Sequence, residues 1–148
     1  MKGIDDMTAR EYLSQLKTLH EEIDFMKECR QDCIDKATIT SIPLYEERVQ
    51  TSRTDNGRVE RYGTKAADIA QEIENKELEL LTLEEKIIRR IRGLHHKHYI
   101  NILYKIYVQF KSIREAAGEM KISYSYAVEL HKKALKAFTE RYAKKKVG

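Results

Sequence analysis

The sequence predicts an all-α protein: a long antiparallel helical hairpin, coiled-coil-like, followed by a C-terminal bundle of three shorter helices. Three observations predict it. The 148 residues hold one proline and six glycines, too little punctuation for a turn-rich sandwich or barrel. Two long stretches, Ala9–Ala37 and Thr64–Arg92, carry apolar residues at alternating spacings of three and four, the period of a helix with one packed face. The remaining third changes texture to shorter segments, two of them opened by a helix-capping serine.

The first helix starts at Thr8-Ala9-Arg10-Glu11, a capping box in which Thr8 accepts from the Glu11 amide and the carboxylate reaches back. Its stripe is Ala9, Tyr12, Leu16, Leu19, Ile23, Met26, Cys33 and Ala37, interrupted at Arg30. Residues 38–63 break the pattern with Thr-Ile-Thr-Ser-Ile-Pro43 and the polar run Thr51–Gly57. This reads as a mobile loop with a short turn near Leu44–Val49. The second helix buries Ala66, Ile69, Ile73, Leu80, Leu83, Ile87 and Leu94, with Lys76 and Arg90 as gaps. Folding the two stripes together antiparallel buries both, and pairing with a second copy would thicken so thin a core. Arg89-Arg90-Ile91-Arg92 before Gly93 is a normal helix stop. The domains expected are therefore an arm over residues 1–93, with its loop at 38–63, and a module over residues 94–148.

In the module, Tyr99–Phe110 is dense in apolar and aromatic residues, with Ile100, Leu103, Tyr107 and Phe110 on one helical face. Ser112-Ile-Arg-Glu115 is a second capping box, opening a helix Ile113–Met120. Ser123 caps a last helix from Tyr124 to about Tyr142, with Ala127, Leu130, Ala134 and Phe138 inward. Two short helices joined across Lys121–Ser123 and backed by a third are the parts of a helix-turn-helix. Left outward are Tyr124, Ser125, Val128, Glu129, Lys132 and Lys133, where a recognition helix meets a major groove. Lys111, Ser112 and Arg114, at the start of the preceding helix, complete the expected DNA-binding set.

This segment resembles the C-terminal helix-turn-helix of sigma-70-type factors, their region 4, in Glu115-Ala116-Ala117, Met120, Ile122-Ser123 and Ala134-Leu135 followed by Phe138. With the hairpin before it, the chain resembles the ArpU-type late transcriptional regulators of phages and prophages. The words Ile122-Ser-Tyr-Ser-Tyr126 and Leu130-His-Lys-Lys-Ala-Leu135 are nearest to that pattern. The resemblance implies a sequence-specific transcription regulator acting on double-stranded DNA, with RNA polymerase as a further partner and the arm as a route to a homodimer. Two positions depart from it. Lys121 stands where a turn glycine is usual, and Ala127 replaces a branched residue. The alternatives are a small-terminase-type DNA-packaging protein, which would form a closed ring and is discriminated by its mass in solution, and a coiled-coil assembly protein, which would not need the capped helix-turn-helix.

Charge supports a polyanionic partner. Residues 1–85 hold 12 Lys and Arg against 20 Asp and Glu, a net of −8, while residues 86–148 hold 16 against 4, a net of +12. His95, His96 and His98 read as a solvated helix start, because no cysteine or carboxylate completes a metal site around them. Cys29 and Cys33 lie one helical turn apart and read as small half-buried side chains, with no disulfide framework. Glu21-Glu22 and Glu84-Glu85 are exposed helix charges without a nucleophile or oxyanion donor beside them. No Gly-rich phosphate loop occurs. The sequence thus points to no enzyme, no cofactor and no metal. Nowhere do roughly 20 apolar residues run together, so no membrane span is expected. The acidic start of the chain lacks a signal peptide's apolar core. A bacterial host's cytoplasm is the expected compartment.

Overall fold

The computed structural model describes residues 8–41 and 52–143, with side chains for 8–38 and 57–143. It is all-helical. The elements are α1 (Ala9–Ser41), α2 (Ser52–Arg92), α3 (Lys97–Leu103) running into a π-helical turn (Tyr104–Val108), α4 (Ile113–Met120) and α5 (Tyr124–Tyr142). Among the described residues there is no strand, and no helix is long and apolar enough to cross a membrane.

The capping box at Thr8 forms as its residue types dictate. The Thr8 amide donates to Glu11 Oε1 at 2.9 Å, and the Glu11 amide donates to Thr8 Oγ1 at 3.2 Å. Both long helices run further than expected. Residues 38–41 continue α1 and residues 52–63 belong to α2, so this part of the expected loop is helical; residues 42–51 lie outside the described residues. The cause is visible in the spacing. Val59 and Tyr62 extend the stripe of Ala66 and Ile69 at the same period, and Gly57 and Gly63 each cost only about 1 kcal/mol of helix propensity. At the end of α1, threonine and isoleucine are weak helix formers rather than breakers, and the first true breaker is Pro43.

Packing divides the described chain into two compact units, and the division does not fall at Gly93. One unit is His20–Glu79. The other joins the residues up to Leu19 with those from Leu80 onward. The start of α1 and the end of α2, expected as part of the arm, therefore share a unit with the C-terminal helices.

Within His20–Glu79 the helices run antiparallel. Glu22 meets Lys76 at 3.6 Å, Lys27 meets Glu77 at 3.2 Å, and further along α1 the Lys36 ammonium lies 5.6 Å from the centre of the Tyr62 ring. Ile23, Ala66 and Ile73 are buried between them. Lys76, a gap in the apolar stripe, is thus used for a cross-helix ion pair. Cys29 and Cys33 are half-buried and unbridged. Ile73→Glu places a carboxylate on this seam and is expected to lower stability by about 2 kcal/mol. Thermal melts followed by circular dichroism check this; a melt unchanged within experimental error would take Ile73 out of the packed seam.

In the other unit, Leu13, Leu16 and Leu19 of α1 and Leu83, Ile87 and Ile91 of α2 are buried together with Ile102, Leu103, Ala116, Ala127, Ala134 and Phe138. α5 packs on both α3 and α4. Tyr12 ties the base of the hairpin to the last helix. Its ring lies 6.1 Å from Phe138, and its hydroxyl accepts from Arg90 Nη1 at 2.8 Å. Arg90, the second gap in the stripe, also stacks over the Tyr12 and Tyr142 rings. α2 stops just before Gly93, as expected, and Gly93 also lies against the end of α5. The Gly93 φ is not positive, and the left-handed residue in that link is His95. A Cβ at Gly93 would overlap the Tyr142 hydroxyl. The absent side chain makes room for the end of α5.

Candidate functional site

The helix-turn-helix grammar is built from local bonds. Ser112 caps α4 through a full capping box: the Glu115 amide donates to Ser112 Oγ at 3.1 Å, and the Ser112 amide donates to Glu115 Oε1 at 2.9 Å. At the other end Lys121 is left-handed, with φ 59° and ψ 45°. The Lys121 amide donates to the Gly118 carbonyl at 3.3 Å and the Ile122 amide to the Ala117 carbonyl at 3.0 Å. That pair is a Schellman closure with lysine at the position glycine normally fills. The cost of a side chain there is roughly 1–2 kcal/mol. Buried Ala117, together with half-buried Met120 and Ile122, lies around the turn. Ser123 then caps α5, accepting from the Tyr126 amide at 3.1 Å.

The nine expected contact residues fall into two groups. Tyr124, Ser125, Glu129, Lys132 and Lys133 are exposed, and Val128 half-buried, at helical spacings that place all six on one face of α5. The opposite face, Ala127, Leu130, His131, Ala134 and Phe138, is buried. Lys132 stands 4.0 Å from Glu129, a solvent-exposed pair of small energetic weight. The residues at the start of α4 are more occupied. Ser112 spends its hydroxyl on the cap. Lys111 pairs with Glu119, which also takes Lys105 at 2.7 Å, and the two lysines hold the Glu119 carboxyl below the usual carboxylate range. Arg114 lies over the Tyr124 ring at 4.7 Å, so the starts of α4 and α5 are brought together.

Below this surface the α3 segment departs from a plain helix. It widens to a π turn, with the Gln109 amide donating to the Tyr104 carbonyl at 3.0 Å, and Phe110 is then left-handed at φ 60°. A bulky side chain there is strained. The turn buries Tyr107, whose hydroxyl lies 2.8 Å from His131 Nε2. The Arg10 charge acts on both groups. With the ring neutral, the tautomer protonated at Nδ1 accepts at Nε2 from the Tyr107 hydroxyl. Burial, reinforced by the charge of Arg10, pushes the His131 pKa down to about 4. Burial pushes the Tyr107 hydroxyl up against the opposing pull of Arg10.

Two features escaped the sequence reading. Tyr126 is half exposed and lines a cavity of about 360 Å³ with His96, Tyr99, Glu129 and Lys133. Arg10 and Lys17 of α1 line a cavity of about 440 Å³ with Lys111, Tyr107, Phe110 and His131. No local signal marks either one, because each joins segments far apart in sequence. His95, His96 and His98 are exposed, and His96 caps α3 by accepting from the Tyr99 amide. The basic run Arg141–Lys146, whose composition suits either a phosphate-contacting tail or a frayed helix end, is described only as far as Ala143. No protein-family profile, curated protein or solved structure matches the chain.

Proposed function

We propose that the chain is a sequence-specific, DNA-binding transcription regulator of phage or prophage type, acting through the α4–α5 helix-turn-helix. One observation carries this reading. Two capped helices are closed by a left-handed Lys121, and the second of them buries one face and leaves Tyr124, Ser125, Glu129, Lys132 and Lys133 open. The net charge of +12 over residues 86–148 supports a polyanionic partner for the same part of the chain. In this reading Tyr124, Ser125, Val128 and Glu129 face base edges, while Lys132, Lys133, Lys111 and Arg114 serve phosphates. RNA polymerase is the proposed protein partner, and a second copy is proposed to pair through the hairpin. The proposed setting is the cytoplasm of a bacterial host.

The two groups of residues respond differently to substitution. Lys132→Ala with Lys133→Ala is expected to weaken binding to all sequences and to reduce the slope of log affinity against log salt by about 2. Glu129→Ala instead changes the preferred sequence and leaves non-specific binding nearly intact. Fluorescence anisotropy on a site selected from random DNA and on a scrambled one, at several salt concentrations, separates these effects. A lysine pair whose loss leaves affinity and salt slope unchanged takes α5 out of the interface.

A further inference from the structure

A cavity between α1 and the α3–α4 link is lined by more cationic than anionic side chains. It encloses about 440 Å³, within the usual range of ligand pockets. Its wall is partly apolar, with Ile106, Phe110 and Ile113, and Tyr107 and His131 also line it. Three cationic side chains from two distant segments converge on it: Arg10 and Lys17 from α1, and Lys111 from the link. One carboxylate, Glu115, also lines the cavity, with its Oε1 accepting from the Ser112 amide, and Glu119 is shared between Lys105 and Lys111. Among the described residues no carboxylate forms an ion pair with Arg10 or Lys17. Both side chains line the cavity. A guanidinium fork beside an ammonium is the pairing that suits a tetrahedral oxyanion with several acceptor oxygens.

We propose that this cavity takes a phosphate group, held by Arg10 and Lys17 with Lys111 beside them. Two sources offer that chemistry: a backbone phosphate of DNA, or a free phosphate or small phosphate ester. The first rests on the helix-turn-helix reading above and extends its contact surface onto α1. The second does not depend on it.

The test uses the full chain and two arms. Lys17 is exposed and has no packing role, so Lys17→Gln removes charge without touching the core. Arg10→Gln is the companion variant, and Lys86→Gln, an exposed lysine outside the cavity, removes the same charge elsewhere. In the first arm, DNA affinity is measured against salt. Lys17→Gln is expected to reduce the slope by about 0.9 and Lys86→Gln to leave it unchanged. In the second arm, inorganic phosphate is titrated without DNA, against chloride at matched ionic strength, while the His131 ring and Lys111 amide resonances are followed. Saturable shifts in the native chain that vanish in Lys17→Gln and Arg10→Gln identify a free phosphate. A positive first arm alone identifies the DNA backbone. If the native chain binds DNA and both cavity variants match Lys86→Gln in both arms, the cavity proposal is overturned and the helix-turn-helix stands. If the native chain binds no DNA but phosphate saturates the cavity, the reverse holds.

Discussion

Phe138→Ala is expected to destabilise the unit that holds the helix-turn-helix by about 3–5 kcal/mol, the range for truncating a buried aromatic. Phe138 is wholly buried, with its ring centre 6.1 Å from Tyr12 and 4.9 Å from Tyr142. Tyr142 is in turn covered by Arg90, and its hydroxyl lies where a Cβ at position 93 would be. One side chain therefore fastens the end of α5 to the start of α1 and the end of α2. Removing it leaves a cavity and breaks aromatic contacts, each worth roughly 0.5–1.5 kcal/mol beyond the area buried. Phe138→Leu keeps most of the volume and is expected to cost much less, roughly 1 kcal/mol. Urea titrations followed by circular dichroism measure both. A loss below about 1 kcal/mol for the alanine variant would show that α5 is held by its contacts with α3 and α4 alone.

What was legible in the sequence was what is encoded locally. Ser112 and Ser123 cap helices because a serine hydroxyl needs only the amide three residues on, and Glu115 completes its box at the same range. Buried Leu16, Ile23, Ile73 and Ile87 follow from the period of the stripe alone. What was not legible depends on partners far along the chain. Arg90 looks like a fault in an apolar stripe until Tyr12, on another helix, supplies a ring and a hydroxyl. Gly93 follows the end of α2, as a helix stop should, but its closeness to the Tyr142 hydroxyl at the end of α5 has no local signal. The edges of the expected loop failed for a different reason. Polar and β-branched residues at 38–41 and 52–63 carry only small helix penalties, and Val59 and Tyr62 continue the packed face through them. At the site, the open face of α5 could be read from its period. The engagement of Lys111 with Glu119 and of Arg114 with Tyr124 could not, since the first depends on how the link before α4 folds back and the second on the turn after it. The cavity of Arg10 and Lys17 was hidden for the same reason.

Acid should weaken this same unit well before most carboxylates titrate, through His131. The group is buried, accepts from the Tyr107 hydroxyl and lies in the field of Arg10, and its pKa is about 4 against an ordinary value of 6.5. A histidine whose folded pKa is lowered contributes stability that is fully present above the unfolded value. That stability is lost as pH falls, because the unfolded chain takes up a proton that the folded one refuses. The window therefore runs from about pH 6.5 down to about pH 4. Across it stability is expected to fall by roughly 1.4 kcal/mol per pH unit, reaching on the order of 3 kcal/mol. The other four histidines, His20, His95, His96 and His98, are exposed. Glu119, whose carboxyl is held low by Lys105 and Lys111, adds its own loss only below the ordinary glutamate range. His131→Gln keeps an acceptor for the Tyr107 hydroxyl and removes the titration, so its stability should vary far less between pH 6.5 and pH 4. Urea titrations at three pH values within that window, on both proteins, give the comparison. Equal slopes against pH for the native chain and His131→Gln would mean that His131 takes up its proton in the folded state, and that the Tyr107 hydroxyl does not hold it neutral.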